Sequence, residues 1–373
     1  MSSTTTMVYD AKSSMTPIAN PLNHRTTYAF DLVGHQTNIH YVDNTRVTMA
    51  HDPAGNLTTM VDSLGTTTYV YDSLNRVTSK RDSNSKVQSY EYDAASQRLV
   101  LVDPNNGRAT YTYDSDGQIA THRDPNNILT TFQYDARGAQ TTVTYQSGRV
   151  HVSTFDADGR NTVRKDNNGG TVLQLFTYTF DGVGNRTNVL DSNGSTVTYT
   201  YDAINRLTQD ATSGTDAHTY NYSYDSRGNI LTNNESGTIA TMTYDAASRL
   251  ATSIEGTVTT TYTFDTNGNL TNAIAGTTRT TMTYDSENRL AVHKQGLVRN
   301  TVTFTYDGMG LKMKEEKNGG NDLLVWDGSD FLMQDGFADD WLYSLVDGIM
   351  IAGTKGATRQ DFLTDYLGSV TGV

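Results

Sequence analysis

Along much of the chain, apolar and polar residues alternate one by one in short stretches. Thr196–Tyr201 reads TVTYTY and Thr259–Phe264 reads TTTYTF. A period of two places the rings on one face of a strand and Thr on the other. These stretches end on an aromatic–Asp pair that recurs throughout, its aspartates being Asp10, Asp31, Asp52, Asp72, Asp93, Asp114, Asp135, Asp156, Asp181, Asp202, Asp225, Asp245, Asp265, Asp285 and Asp307. Fifteen copies stand 20 to 25 residues apart, most often 21. Such a period marks a repeat architecture.

Each position of the unit has a physical reading. The residue before the Asp is Tyr or Phe in fourteen copies, with His51 the exception. Two residues earlier stands another aromatic or Met in fourteen, with Ser153 the odd one. Pairs such as Tyr69/Tyr71, Tyr111/Tyr113 and Tyr199/Tyr201 are therefore expected to pack on one sheet face. Three residues after the Asp comes Gly in nine copies, Asn in three and Ser in three, Ser13 among them. Asp at the start of a type I turn accepts backbone N–H groups, and Gly or Asn supplies the left-handed conformation that follows. Asp72/Asn75, Asp114/Gly117, Asp135/Gly138, Asp202/Asn205 and Asp285/Asn288 are read as such turn pairs. A second strand then runs to a polar turn near mid-repeat, such as Asp191–Gly194. Two strands and two turns per unit predict roughly 30 short strands over the fifteen repeats. A lone hairpin cannot bury its aromatic face, so the hairpins should pair serially into one twisted, winding sheet.

Composition changes the picture in one respect. The chain has 373 residues, 36% hydrophobic and 18% charged. On usual bookkeeping that is about 38% apolar against roughly 45–50% for a globular average, which alone points toward disorder. Yet aromatics make up 9% of the chain and Thr accounts for 60 residues. A one-faced sheet explains the deficit, because only alternate positions need be apolar.

Charge and missing residue types exclude more. With 28 basic and 41 acidic residues the net charge is −13, and no Lys/Arg run offers a nucleic-acid footprint. There is no Cys, hence no disulfide, thiolate metal site or Cys nucleophile. The start, MSSTTTMVYD, shows no signal peptide. The longest apolar stretch, Trp341–Ala352, is broken by Ser344, Asp347 and Gly348, so no membrane span is expected.

Candidate chemistry is sparse. Asp114-Ser115-Asp116-Gly117 lacks the twelve-residue calcium loop ending in a bidentate Glu. The eight His include no HExxH, and His35/His40 are read as solvent-facing hairpin positions. No GxSxG, phosphate loop or dinucleotide fingerprint occurs. The expectation is no catalytic, cofactor-binding or metal residue. Two tyrosines outside the packed slots, Tyr145 and Tyr220, are read as outward and available for binding. The acidic aromatic tail (Asp335, Asp339 and Asp340 with Trp326, Phe331, Phe337 and Trp341) breaks the period and reads as a cap, with a hydrolase carboxylate pair as the sharper alternative.

The signatures Tyr71-Asp72-Ser73-Leu74-Asn75-Arg76-Val77, Tyr201-Asp202-Ala203-Ile204-Asn205-Arg206-Leu207 and Tyr284-Asp285-Ser286-Glu287-Asn288-Arg289-Leu290 resemble the unit of the Rhs/YD-repeat family. Bacterial polymorphic toxins, wall-associated proteins, toxin-complex C components and animal teneurins share it. Trp326-Asp327-Gly328 and Asp365–Val370 (DYLGSV) are similar to the Rhs-associated core. The resemblance implies an all-β spiral of hairpins over 1–310, a core-like cap over 311–373 and no helix. It also implies a non-enzymatic scaffold, part of a shell around a C-terminal toxin, exported or at the cell surface. The family's self-cleavage motif and a toxin-like segment are absent, so an incomplete shell without cargo is expected. A neighbouring Rhs-type chain, a self-association through open sheet ends, or a cell-surface glycan or protein are the partners it suggests.

Overall fold

The computed structural model of the chain describes residues 5–9, 15–214, 217–296, 300–317, 319–336, 341–346, 349–355, 358–361, 363–364 and 370–372. Asp10, Ser13, Phe337, Asp339, Asp340 and the DYLGS portion of the DYLGSV segment lie outside the described residues. The expected all-β class holds. Thirty-five strands, β1 (Thr6–Tyr9) to β35 (Thr358–Asp361), form one antiparallel sheet. Each pairs with the next in sequence, from the first pair to the last. A separate two-stranded piece joins β36 (Leu363–Thr364) to β37 (Val370–Gly372). Among the described residues there is no α-helix, and hence none long and apolar enough to cross a membrane. The sheet does not close: β1 and β35 each have a single partner.

The turns follow from their residues. Asp72 Oδ1 accepts the N–H groups of Leu74 and Arg76 at 2.9 and 3.1 Å, and Asn75 N–H donates to the Asp72 carbonyl at 3.0 Å. Asn75 sits at φ +61°, Asn205 and Asn288 at +64°. Gly takes this conformation without strain and Asn more readily than most residues, and Ser96 and Ser248 adopt it at +67° and +60°. Pairing across each such turn slips by one residue, as between Val70 and Tyr71 or Thr200 and Tyr201. This is the bulge that accompanies a type I hairpin turn. From β3 (Arg25–Phe30) onward these turns follow odd-numbered strands, up to β29 (Thr301–Tyr306). They line one edge of the sheet, and the mid-repeat turns line the other.

The two edges meet. The turn between β4 (Gln36–His40) and β5 (Arg46–His51) touches the turn between β27 (Thr278–Tyr284) and β28 (Leu290–Gln295): Tyr41 Oη donates to Glu287 Oε1 at 2.7 Å. The turn between β6 (Leu57–Asp62) and β7 (Gly65–Tyr71) meets that between β29 and β30 (Lys312–Lys317), where Gly308 N–H donates to Asp62 Oδ2 at 2.8 Å. Lys80 in β8 (Val77–Arg81) donates to the carbonyl of Trp326 in β31 (Gly320–Asp327) at 3.1 Å. Each contact spans 246 residues and 23 strands. An odd offset is what joins one edge of an antiparallel meander to the other. The sheet therefore winds round and returns upon its own beginning, eleven and a half repeats later.

Burial follows this winding. The slot aromatics Tyr90, Tyr111 and Phe132 are buried, and Tyr90 and Tyr111 share a core with Val325, Leu332 and Met333 from the returning strands. Gly308 leaves no room for a side chain, since a Cβ there would stand 2.6 Å from Val47 and 3.0 Å from Met60, which is fully buried. Past Tyr178 the same slots are only half-buried, at Tyr199, Tyr222, Met242, Tyr262 and Met282. The Tyr or Phe next to each Asp is half-buried in all repeats from Tyr71 to Tyr306. Full burial is thus reached only in the first slot, at Tyr90, Tyr111, Phe132 and Tyr178.

Candidate functional site

The repeat signature is a device for joining hairpins. Tyr71 Oη donates to the Leu57 carbonyl of the preceding unit at 2.9 Å, and Tyr92, Tyr113, Tyr134, Tyr201, Tyr224, Tyr244, Tyr284 and Tyr306 do the same one repeat back. The Arg points the other way. Arg206 Nε donates to Asp202 Oδ2 at 2.7 Å, its Nη1 donates to the Asp225 carbonyl at 3.2 Å, and its guanidinium lies 4.6 Å from the Tyr224 ring. Arg76, Arg249 and Arg289 repeat all three contacts. Tyr ties a unit backward and Arg ties it forward. Asp114, Gly117, Asp135 and Gly138 form turns of the same build without that Arg.

The seam carries the unusual electrostatics. Asp82, Asp103 and Asp307 are all at most 5% exposed, and burial pushes each carboxyl above its ordinary range. Lys80, 8% exposed, is pushed down by the same desolvation. Tyr69 beside them is raised to about 12, first by burial and then by the charge of Asp307. Lys86 pairs with Asp335 and Arg98 with Asp327 across the seam. A cavity of about 500 Å³ lies under it, walled by Tyr69, Tyr90, Tyr92, Lys80, Arg98 and Met309. Among the described residues no group of three or more His, Asp or Glu is placed to hold a metal ion.

Of the two tyrosines read as outward, one must be corrected. Tyr145 is 5% exposed and packs with Phe132 and Val143. Its strand, β14 (Gln140–Tyr145), puts Val143 and Tyr145 on the slot face, opposite Phe132 and Thr130. Tyr220 is half-buried, donates to Glu235 Oε1 at 2.9 Å, and stands in a row with His218 and Tyr222 at ring distances of 5.1 and 6.4 Å. His35 stacks on His51 at 5.0 Å and bonds Asp31, so it is not a bare solvent position. Asp335 is held by Lys86.

The seam residues escape local pattern reading because their partners are 246 residues away. One signal was present. Asp62, Asp82, Asp103 and Asp124 start four successive mid-repeat turns, whereas later ones use Ser236-Gly237, Gly256-Thr257 or Gly276-Thr277. The acidic series runs through the strands on which the tail settles.

Comparison with known families decides the identity of the unit. A teneurin YD-shell model matches residues 183–324, and an RHS repeat model matches 51–87, 71–108, 92–127 and 113–150. The chain carries Rhs/YD repeats. Among solved structures the YD-repeat chain is similar to TcdB2–TccC3 over all of its length, with a TM-score of 0.64 and 14% identity. The complex TcdB2–TccC3–Cdc42 matches 99% of it at 0.63, and the Tc holotoxin pore of Photorhabdus luminescens 98% at 0.62, both at 14% identity. The likeness is one of fold. The chain spans about a quarter of each of those chains. No curated protein matches it. The YD-repeat chain is thus a scaffold of Rhs type.

Proposed function

We propose that the YD-repeat chain is a wall segment of an Rhs-type shell that encloses or presents a polypeptide toxin, and that this role needs no catalysis by the wall. The observation that carries the reading is the 246-residue return, by which the meander winds back upon itself. The likeness to TcdB2–TccC3 supports it. Residues 311–373 act as a cap: Val325, Leu332, Met333 and Leu342 cover the aromatic face of the first repeats. To test enclosure, an unstructured reporter segment would be appended after Val373 and the fusion treated with a broad protease. Enclosure predicts a reporter cleaved much more slowly than the same segment on an unrelated carrier. Equal rates would overturn the reading.

A second reading rests on the half-exposed row His218–Tyr220–Tyr222, a ring surface on which a cell-surface glycan or a protein partner could stack. Binding on a glycan array that vanishes in Tyr220→Ala would favour it, and a blank array would count against it.

A further inference from the structure

The Asp156 repeat departs from all others. Its first slot holds Ser153 where fourteen copies have an aromatic or Met, and the following spacing is the longest, 25 residues. The strands lengthen there, β15 (Arg149–Phe155), β16 (Asn161–Asn168) and β17 (Thr171–Phe180) having seven, eight and ten residues. On the slot face, residues directly opposite one another form a row Phe132, Val143, His151, Asp166 and Gln174 across five strands. A second row sets Ser153 opposite Arg164 and Phe176.

Between the rows runs a relay. His151 Nδ1 lies 2.9 Å from Asp166 Oδ1, and His151 Nε2 lies 3.1 Å from Ser153 Oγ. The tautomer that satisfies both contacts donates Nδ1–H to the carboxylate and accepts the seryl proton at Nε2. All three are buried, Ser153 and His151 at 7% and 8% exposure and Asp166 at 1%. The carboxylate that orients the base is the most deeply buried of the three. A purely structural filler for this slot would be the ring used by the other copies, since a buried polar group costs about 1–3 kcal/mol wherever its hydrogen bonds are imperfect.

We infer that Ser153, His151 and Asp166 form a nucleophilic relay that cleaves acyl esters. Ser153 and His151 are the catalytic residues and Asp166 a positioning residue. Ser153 Oγ gives its proton to His151 Nε2 and bonds to the ester carbon, whose carbonyl oxygen takes the electron pair as an oxyanion. Arg164, cross-strand from Ser153, supplies the positive charge that faces it. The tetrahedral adduct collapses, the alkoxide leaves with the proton from Nε2, and an acyl-serine remains. Water, deprotonated by the same nitrogen, then releases the carboxylic acid and restores Ser153. This goes beyond the scaffold role, which stands or falls independently.

The full chain would be treated with a fluorophosphonate–biotin probe across pH 5–9 and the adduct mapped by peptide mass spectrometry. The expected result is one adduct, on Ser153. The adduct is lost in Ser153→Ala, and the rate falls about 10²-fold or more in His151→Gln. Asp166→Asn should slow labelling, because Nδ1–H loses the carboxylate that orients the ring, and Asp166→Glu should recover part of the rate. Absence of an adduct on the unaltered chain, or an adduct on another residue, overturns the proposal whatever the variants do.

Discussion

At the residue scale, the signature is a set of backbone and linking demands rather than a chemical site. Asn205 has φ +64°, so Asn205→Val forces a β-branched residue into the left-handed region, costing about 1–2 kcal/mol, whereas Asn205→Gly should be nearly neutral. Urea midpoints of the two variants at unchanged m-value check this. Arg206→Lys keeps the charge but cannot hold Asp202, the Asp225 carbonyl and the Tyr224 ring together. A loss of about 1 kcal/mol is expected by the same measurement, and no loss would mean that the forward tie is idle. These positions were legible because each role is settled within a few residues. Tyr145 was misread for the same reason: its place outside the two slots said nothing about Phe132 on the neighbouring strand.

At the element scale, two families of carboxylate oppose each other. Arg76 and the N–H groups of its turn hold Asp72 below the usual range, and similar donors hold down Asp52, Asp202, Asp225 and Asp245. Their contribution is present above the unfolded value of about 4 and is lost as pH falls through the lowered folded values. Asp82, Asp103 and Asp307, raised by burial, contribute in the reverse sense. Their share is present below about pH 4 and is lost as pH rises through the raised folded values. Lys80, pushed down, acts only toward the alkaline end, where stability gains with pH up to its ordinary range. The seam should therefore be tighter at mildly acidic pH, while the hairpins weaken in stronger acid. Hydrogen exchange at Val47 and Met60, corrected for intrinsic rates, should show more protection at pH 5 than at pH 8. Equal protection would contradict the account, and Asp307→Asn should flatten the difference.

At the scale of the whole molecule, the alternation and period of the sequence already specified strands, turns and serial pairing. They did not specify the circumference. Twist accumulates over 23 strands, and only its sum brings Gly308 against Val47 and Met60. Gly308→Leu should therefore prise the seam open without melting the hairpins. Far-UV dichroism would stay unchanged, while Val47 and Met60 lose protection and the hydrodynamic radius grows. Met60→Ala leaves a cavity at the same place and should cost about 2–5 kcal/mol of seam stability. A variant in which hairpin signal and seam protection vanish together would show one cooperative unit instead.

The 246-residue return also sets a clock. Neighbouring hairpins can pair as soon as they leave the ribosome, but Asp62 must wait for Gly308. At about 5–20 residues per second that wait is roughly 12–50 seconds. Through all of it Val47, Met60, Tyr90 and Tyr111 stand without the chain that later covers them. Synthesis therefore passes through a long-lived half-wound intermediate with an open aromatic wall, the stage at which a holding chaperone has access to it.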